Sequence, residues 1–208
     1  MILSIAKTAF ENMAIEYTQL LERFYPAKDS SGFTERNLTY RFCKTFEAAL
    51  VQSNVGACFS WMEFPLTKQK KENGKRVSAP HLDSVIFVFH DDQISVVYIE
   101  AKRITENNYD QKYDSIISDI RRMKSESNRA SVLEQVYHKA SLSQKNEYIC
   151  FAADVWIGNK KRSHEVPGWW ETALPNSIGP SKQQMTFQKE IKKYDSSSYN
   201  LLGLIEEI

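Results

Sequence analysis

The chain has 208 residues, 42% of them hydrophobic and 25% charged, with a formal net charge of +1. That composition buries a core and excludes a disordered chain, and the length suits one domain over residues 1–208. The near-neutral balance excludes a surface that is basic throughout but leaves room for a local basic patch. Cys43, Cys58 and Cys150 lie far apart and form no CxxC pair. A zinc site or disulfide framework is therefore not expected, and a reducing, cytoplasmic setting is.

In chain order, residues 3–24 read as an amphipathic helix, with Ile5, Phe10, Met13, Leu20, Leu21 and Phe24 near one side. Lys7, Glu11 and Glu16 interrupt its apolar run, so it is not built as a signal peptide. No stretch approaches about 18 consecutive apolar residues, so no membrane span is expected. "YPAKDSSG" ends this helix. A second helix starts at the Thr34 cap and runs to about Gln52, with Leu38, Phe42, Phe46 and Leu50 spaced by four. "ACFSWMEFPL" reads as a strand, and "TKQKKENGKRVSAP" as a polar, basic loop. Residues 82–90 and 94–102 are two strands. Residues 109–127 form a helix with an apolar stripe of Tyr113, Ile116, Ile117, Ile120 and Met123, followed by a shorter helix at 131–141. "EYICFAADVWI", 147–157, is another strand. Beyond it the pattern weakens: a helix at 183–194, then the apolar "LLGLIEEI". The order predicts an α/β fold, a mixed central β-sheet flanked by α-helices, with an N-terminal helical segment.

The chemistry concentrates in "HLDSVIFVFHDDQISVVYIEAKR". If Asp91-Asp92 is the turn of a hairpin, the numbers of paired residues add to 183, and Asp83 faces Glu100. Directly opposed Cβ atoms are about 5 Å apart, so two carboxylates meet on one face, with Lys102 one step further along it. Opposed carboxylates need a counter-charge. Lys102 supplies one; a magnesium ion held by oxygen ligands at about 2.1 Å supplies another. Such an ion activates water or neutralises a transferring phosphoryl group.

Asp83, sixteen residues, then Glu100-Ala101-Lys102 resembles the PD-(D/E)xK motif of the restriction-endonuclease-like nucleases. In that family the motif sits on such a hairpin in a mixed sheet flanked by helices. Asp83 matches its first acid, Glu100 its second and Lys102 its lysine. The proline that usually precedes the first acid is absent: Leu82 holds its place, and Pro80 lies three residues before Asp83. The family often adds an acid from the helix before the sheet, a position Glu35 fits. The resemblance covers the core at about 30–157, leaving 158–208 without a match.

It implies a Mg2+-dependent endodeoxyribonuclease, with Mn2+ as a substitute, in which Asp83 and Glu100 hold the metal, Lys102 aligns water and Glu35 assists. A restriction or defence role fits the family; so does repair or recombination. DNA is the implied partner, and a two-fold homodimer the simplest way to cut both strands. Lys70, Lys71, Lys75 and Arg76 in the basic loop, and Arg121 and Arg122 beside the helical stripe, are candidate phosphate contacts. With no glycine-rich phosphate loop, no nucleotide cofactor is expected.

Each feature has a plainer reading. The acid–lysine group forms a cross-strand ion pair at a strand end. Glu35 meets the helix dipole. The basic residues are solvated surface. Trp169 and Trp170 are core instead of base-stacking platforms. His81, two residues before Asp83, neighbours the acids, and Asp154 is either a buried polar group near them or a strand-end acid. On these readings the chain is a non-catalytic DNA- or protein-binding module. A ribonuclease is a further alternative.

Overall fold

The computed structural model describes residues 1–23, 34–66, 71–72, 75–76, 80–90, 93–105, 108–136, 144–158, 164–174 and 182–208. Helix α1 spans Ile2–Arg23 and α2 spans Glu35–Gln52. Strand β1 is Ala57–Pro65; β2 (Lys71–Glu72) and β3 (Lys75–Arg76) form a minimal two-stranded ladder. Strands β4 (His81–His90) and β5 (Gln93–Ile104) precede α3 (Tyr109–Lys124), α4 (Glu126–Val136) and β6 (Gln144–Ile157). A short helical segment α5, Val166–Gly168, continues as a π-helical turn over Trp169–Ala173, and β7 (Gln183–Tyr194) and β8 (Ser197–Glu207) follow.

The main sheet has six strands in the order β1-β4-β5-β6-β8-β7. Only β5 and β6 pair in parallel; the other neighbours are antiparallel. A parallel pair needs a long crossover, and α3 and α4 supply it. The result is an α/β fold, a mixed sheet flanked by helices.

Strand alternation divides the interior in two. On one face, Ile86, Val88, Val97, Ile99, Cys150 and Ile205 pack against Phe10 and Met13 of α1 and Phe42 and Phe46 of α2. On the other, Val85, Phe87, Val96, Tyr98, Ile149 and Phe151 pack against Ile116, Ile120 and Met123 of α3. Central strands covered on both faces read as continuous apolar runs, which is why "SVIFVF" and "ISVVYI" lack a polar alternation.

One expected element is overturned. Residues 183–194 form strand β7, not a helix. Phe187, Ile191 and Tyr194 mimic a helical stripe, but Met185, Phe187 and Ile191 also share one strand face, and that face packs on the α1 side. Pairing with β8 from Gln183↔Glu207 to Tyr194↔Ser197 decides between the two patterns. The region after residue 158 thus completes the sheet. Helix α4 begins at Glu126, five residues before the expected 131, and the strand expected at 147 begins at Gln144. Among the described residues, no helix is long and apolar enough to cross a membrane.

Candidate active site

The β4–β5 ladder runs from His90↔Gln93 to Ser84↔Ile99, and every pair of numbers adds to 183. The turn residues Asp91 and Asp92 lie outside the described residues. One step past the last pair, the Asp83 carboxylate accepts the Ala101 backbone N–H at 2.8 Å through Oδ2. Glu100 and Lys102 follow the alternation of Val96 and Tyr98 and belong to the face covered by α3; Asp83 lies where the β4 alternation breaks, with Leu82 on the α3 side and Ser84 bonded to Cys43 of α2. They sit at the end of the sheet where the parallel strands β5 and β6 terminate.

Helix α3 contributes a pair of side chains that sequence reasoning either missed or read differently. Asp119 Oδ2 lies 2.8 Å from Lys102 Nζ. Its other oxygen lies 3.1 Å from Arg122 Nη2, and the same nitrogen donates to Glu100 Oε1 at 2.5 Å. Glu100, Arg122, Asp119 and Lys102 therefore form one continuous chain of ion pairs over the hairpin tip. Asp119 and Arg122 are three residues apart, hence neighbours on the helix surface. They border the buried residues Ile116, Ile120 and Met123. A D-x-x-R pair beside an apolar stripe was the available signal. Arg121 is exposed beside them.

Glu35 is the first residue of α2. Thr34 caps that helix in an extended conformation, its side chain accepting the Asn37 N–H. This puts Glu35 at the rim, where Oε1 accepts the Arg103 backbone N–H at 3.1 Å and meets Lys112 Nζ at 2.7 Å. It touches β5 and α3 and bridges the two faces of the sheet. On the edge strand, Met62↔Ser84 and Phe64↔Leu82 pair, while Glu63 between them adopts φ 53°, in the left-handed region that a non-glycine residue enters at a cost. Its carboxylate lies 2.9 Å from His81 Nε2 and 3.1 Å from Arg36 Nε. His81 is thus bound to Glu63.

The electrostatics follow burial. Glu100 is only 2% exposed. Burial pushes its carboxyl up to about 8, the Asp83 charge adds to the shift, and Arg122 opposes it. Burial also raises Asp83 above its ordinary value, against the Ala101 N–H and Lys102. For Lys102, burial disfavours the ammonium, but its hydrogen bond to Asp119 outweighs this and holds it above its ordinary value. Burial likewise works against the Glu35 carboxylate, yet Lys112 and the Arg103 N–H hold it below its ordinary value.

Other candidates fall elsewhere. Asp154 faces the α1 side, where Oδ2 accepts from the Tyr199 hydroxyl at 2.6 Å and Arg103 is its register partner. Trp170 is buried and its Nε1 donates to the Gly203 carbonyl; Trp169 stands edge-on to Tyr109 and Tyr113. Lys70, and the side chains of Lys71, Lys75 and Arg76, lie outside the described residues.

Among the described residues, no group of three or more His, Cys, Asp or Glu gathers closely enough to hold a metal ion. The two hairpin carboxylates are the hard donors at the tip, with an ammonium and a guanidinium in the same cluster. Such a set offers acceptor oxygens beside donors suited to an anionic oxygen. Compared with family models, curated proteins and solved structures, the chain matches none.

Proposed function

We propose that the chain is a metal-dependent nuclease with a restriction-endonuclease-like core, hydrolysing DNA phosphodiester bonds at the β4–β5 tip. The observation that carries this reading is the convergence of Asp83, Glu100 and Lys102 at the tip of the β4–β5 hairpin, within a mixed sheet and followed by a helix packed on the same hairpin.

The donor set fits magnesium. Two carboxylates meet at this tip; burial first, and then the charge on Asp83, raises the proton affinity of Glu100, and a cation there would relieve the repulsion between the acids. Magnesium takes one or two carboxylates, with waters and substrate phosphate completing its shell, so a site with two protein carboxylates suits it. When bound, the ion supplies Lewis acidity toward water and a phosphate oxygen.

The chain's own groups do the rest. Asp83 is fixed by the Ala101 N–H, which sets the carboxylate's direction. Lys102 presents an ammonium to the developing phosphoryl charge, and Asp119 positions it. Glu35, anchored by Arg103 and Lys112, closes the rim on the α2 side and adds negative charge beside Lys102. If both strands of a duplex are cut, a two-fold homodimer places one site against each.

The non-catalytic module is the second reading, favoured by the chain of ion pairs that links Glu100, Arg122, Asp119 and Lys102. Two measurements separate them. Incubation with supercoiled plasmid, linear duplex, single-stranded DNA and RNA, in magnesium and in EDTA, should give magnesium-dependent cleavage of DNA. Calorimetric titration with Mn2+ should show binding that Asp83→Ala abolishes. No cleavage of any substrate and no Mn2+ heat would establish the module.

A further inference from the structure

We infer that Arg122 is a displaceable stand-in for the divalent cation at Glu100: it leaves that carboxylate when the ion enters and then takes a phosphate of the nucleic acid. This rests on the nuclease reading above.

Three features carry it. First, the Arg122 guanidinium sits on the donor atom itself, 2.5 Å from Glu100 Oε1. Glu100 is buried, so the guanidinium covers the carboxylate that a cation would need. Second, Arg122 can leave without unfolding anything. Its side chain is 34% exposed, so the guanidinium can swing outward from both Glu100 and Asp119 into solvent. Third, the charges balance only after it leaves. Asp83, Glu100 and Asp119 are three acids facing the two cations Lys102 and Arg122. A divalent ion added to that set turns the cluster positive, at a place where like charges repel strongly. Releasing Arg122 restores neutrality and frees a planar guanidinium, suited to bidentate phosphate contact, beside the scissile position. Glu35 does not enter this balance, because Lys112 already meets it at 2.7 Å.

The test is Mn2+ calorimetry at pH 8 on the whole chain, wild type and Arg122→Gln, each first shown to be folded by its thermal melt. Removing the guanidinium should tighten Mn2+ binding by about ten- to a hundredfold, the worth of one charge-assisted hydrogen bond. Binding that Arg122→Gln leaves unchanged or weakens overturns the stand-in role alone. Absence of Mn2+ binding in both proteins overturns the metal site, and the stand-in role with it. A second readout needs no variant: the guanidinium nitrogen signals of Arg122 in wild-type protein, followed by NMR during a Mg2+ titration. They should change from slow-exchanging and salt-bridged to fast-exchanging as the ion binds; signals that stay slow while Mg2+ binds overturn the displacement. The phosphate half is read with calcium in place of magnesium. There, duplex binding by Arg122→Gln should lose up to about one unit of salt dependence, and an unchanged slope overturns it.

Discussion

Replacing Asp154 with asparagine should make the protein more stable at pH 8, and the gain should disappear as the pH is lowered. Asp154 is 2% exposed on the α1 side of β6. Tyr199 satisfies one carboxylate oxygen, and the other, Oδ1, has no hydrogen-bond partner among the described residues. Burial raises its carboxyl from 3.8 to about 6, although the Tyr199 hydroxyl and Arg103 pull the other way. The folded state therefore holds this proton more tightly than the unfolded state does. Below 3.8 both states are protonated and the group costs nothing. Between 3.8 and about 6 the unfolded chain ionises first, so stability falls as pH rises; above about 6 the full penalty is present. About two units at about 1.4 kcal/mol each give roughly 3 kcal/mol. Asparagine is neutral in both states and escapes the penalty. Urea unfolding of both proteins from pH 8 to pH 4 should show the difference in stability, variant minus wild type, narrowing by about 2–3 kcal/mol. A difference that stays constant over this range, or widens toward acid, would refute the argument, because Asp154 would then be ionised throughout and held so by Arg103.

Further outcomes follow from other parts of the molecule. Lys102→Ala should cut the cleavage rate by about two to three orders of magnitude, the loss of one transition-state contact, while Mn2+ and DNA binding persist; full activity in a folded variant would return the lysine to a structural ion pair. Gly203→Ala should destabilise by about 1–3 kcal/mol, since the added carbon would lie 2.6 Å from Cε1 and Cε2 of the buried Phe10 ring and closer still to Cζ. Thermal melts of Gly203→Ala in a Phe10→Leu background should show much of that loss recovered, and strict additivity would show that the ring is not the obstacle. Neutralising Lys70, Lys71 and Lys75 together should flatten the salt dependence of DNA binding by up to about one unit per lost phosphate contact, measured by fluorescence anisotropy over a salt series.

The parts of this architecture that could be read from the sequence are those where local pattern and tertiary environment agree. The α2 boundary was visible because Thr34 caps it and Leu38, Phe42, Phe46 and Leu50 repeat at helical spacing. The hairpin register followed from arithmetic on two apolar runs, and the ladder keeps it from His90 to Ser84. Strand β7 was illegible because an edge strand buries only part of one face, and "MTFQKEIKKY" satisfies two periods at once; only β8 resolves them. At the tip, Asp83, Glu100 and Lys102 announce themselves within one short segment. Asp119 meets Lys102 across a crossover, and no spacing rule links a strand residue to a helix residue seventeen positions later. Arg122 reads from the sequence as a phosphate contact or a solvated cation, because it borders the helical stripe beside Arg121; its proximity to Glu100 depends on how α3 lies on the sheet. Glu63 carries no sequence mark of its left-handed backbone.

The packing of α1 has a consequence for how the chain acquires its structure. Phe10 stacks on Phe187 at 5.4 Å between ring centres, Tyr17 stacks on Tyr199 at 6.1 Å, and Lys192 Nζ donates to the Leu21 carbonyl. The earliest helix thus finds part of its apolar covering in the last hairpin. During synthesis Phe10 and Tyr17 emerge long before residues 183–207 exist, and part of the α1 stripe must wait, docked incompletely or guarded by a chaperone. Contacts so distant in sequence close slowly, because loop entropy is lost before the contact is gained. The nascent chain should therefore be most prone to association after the β4–β5 hairpin has formed and before β8 is complete, and a ribosome-stalled series ending between residues 160 and 208 would locate that interval.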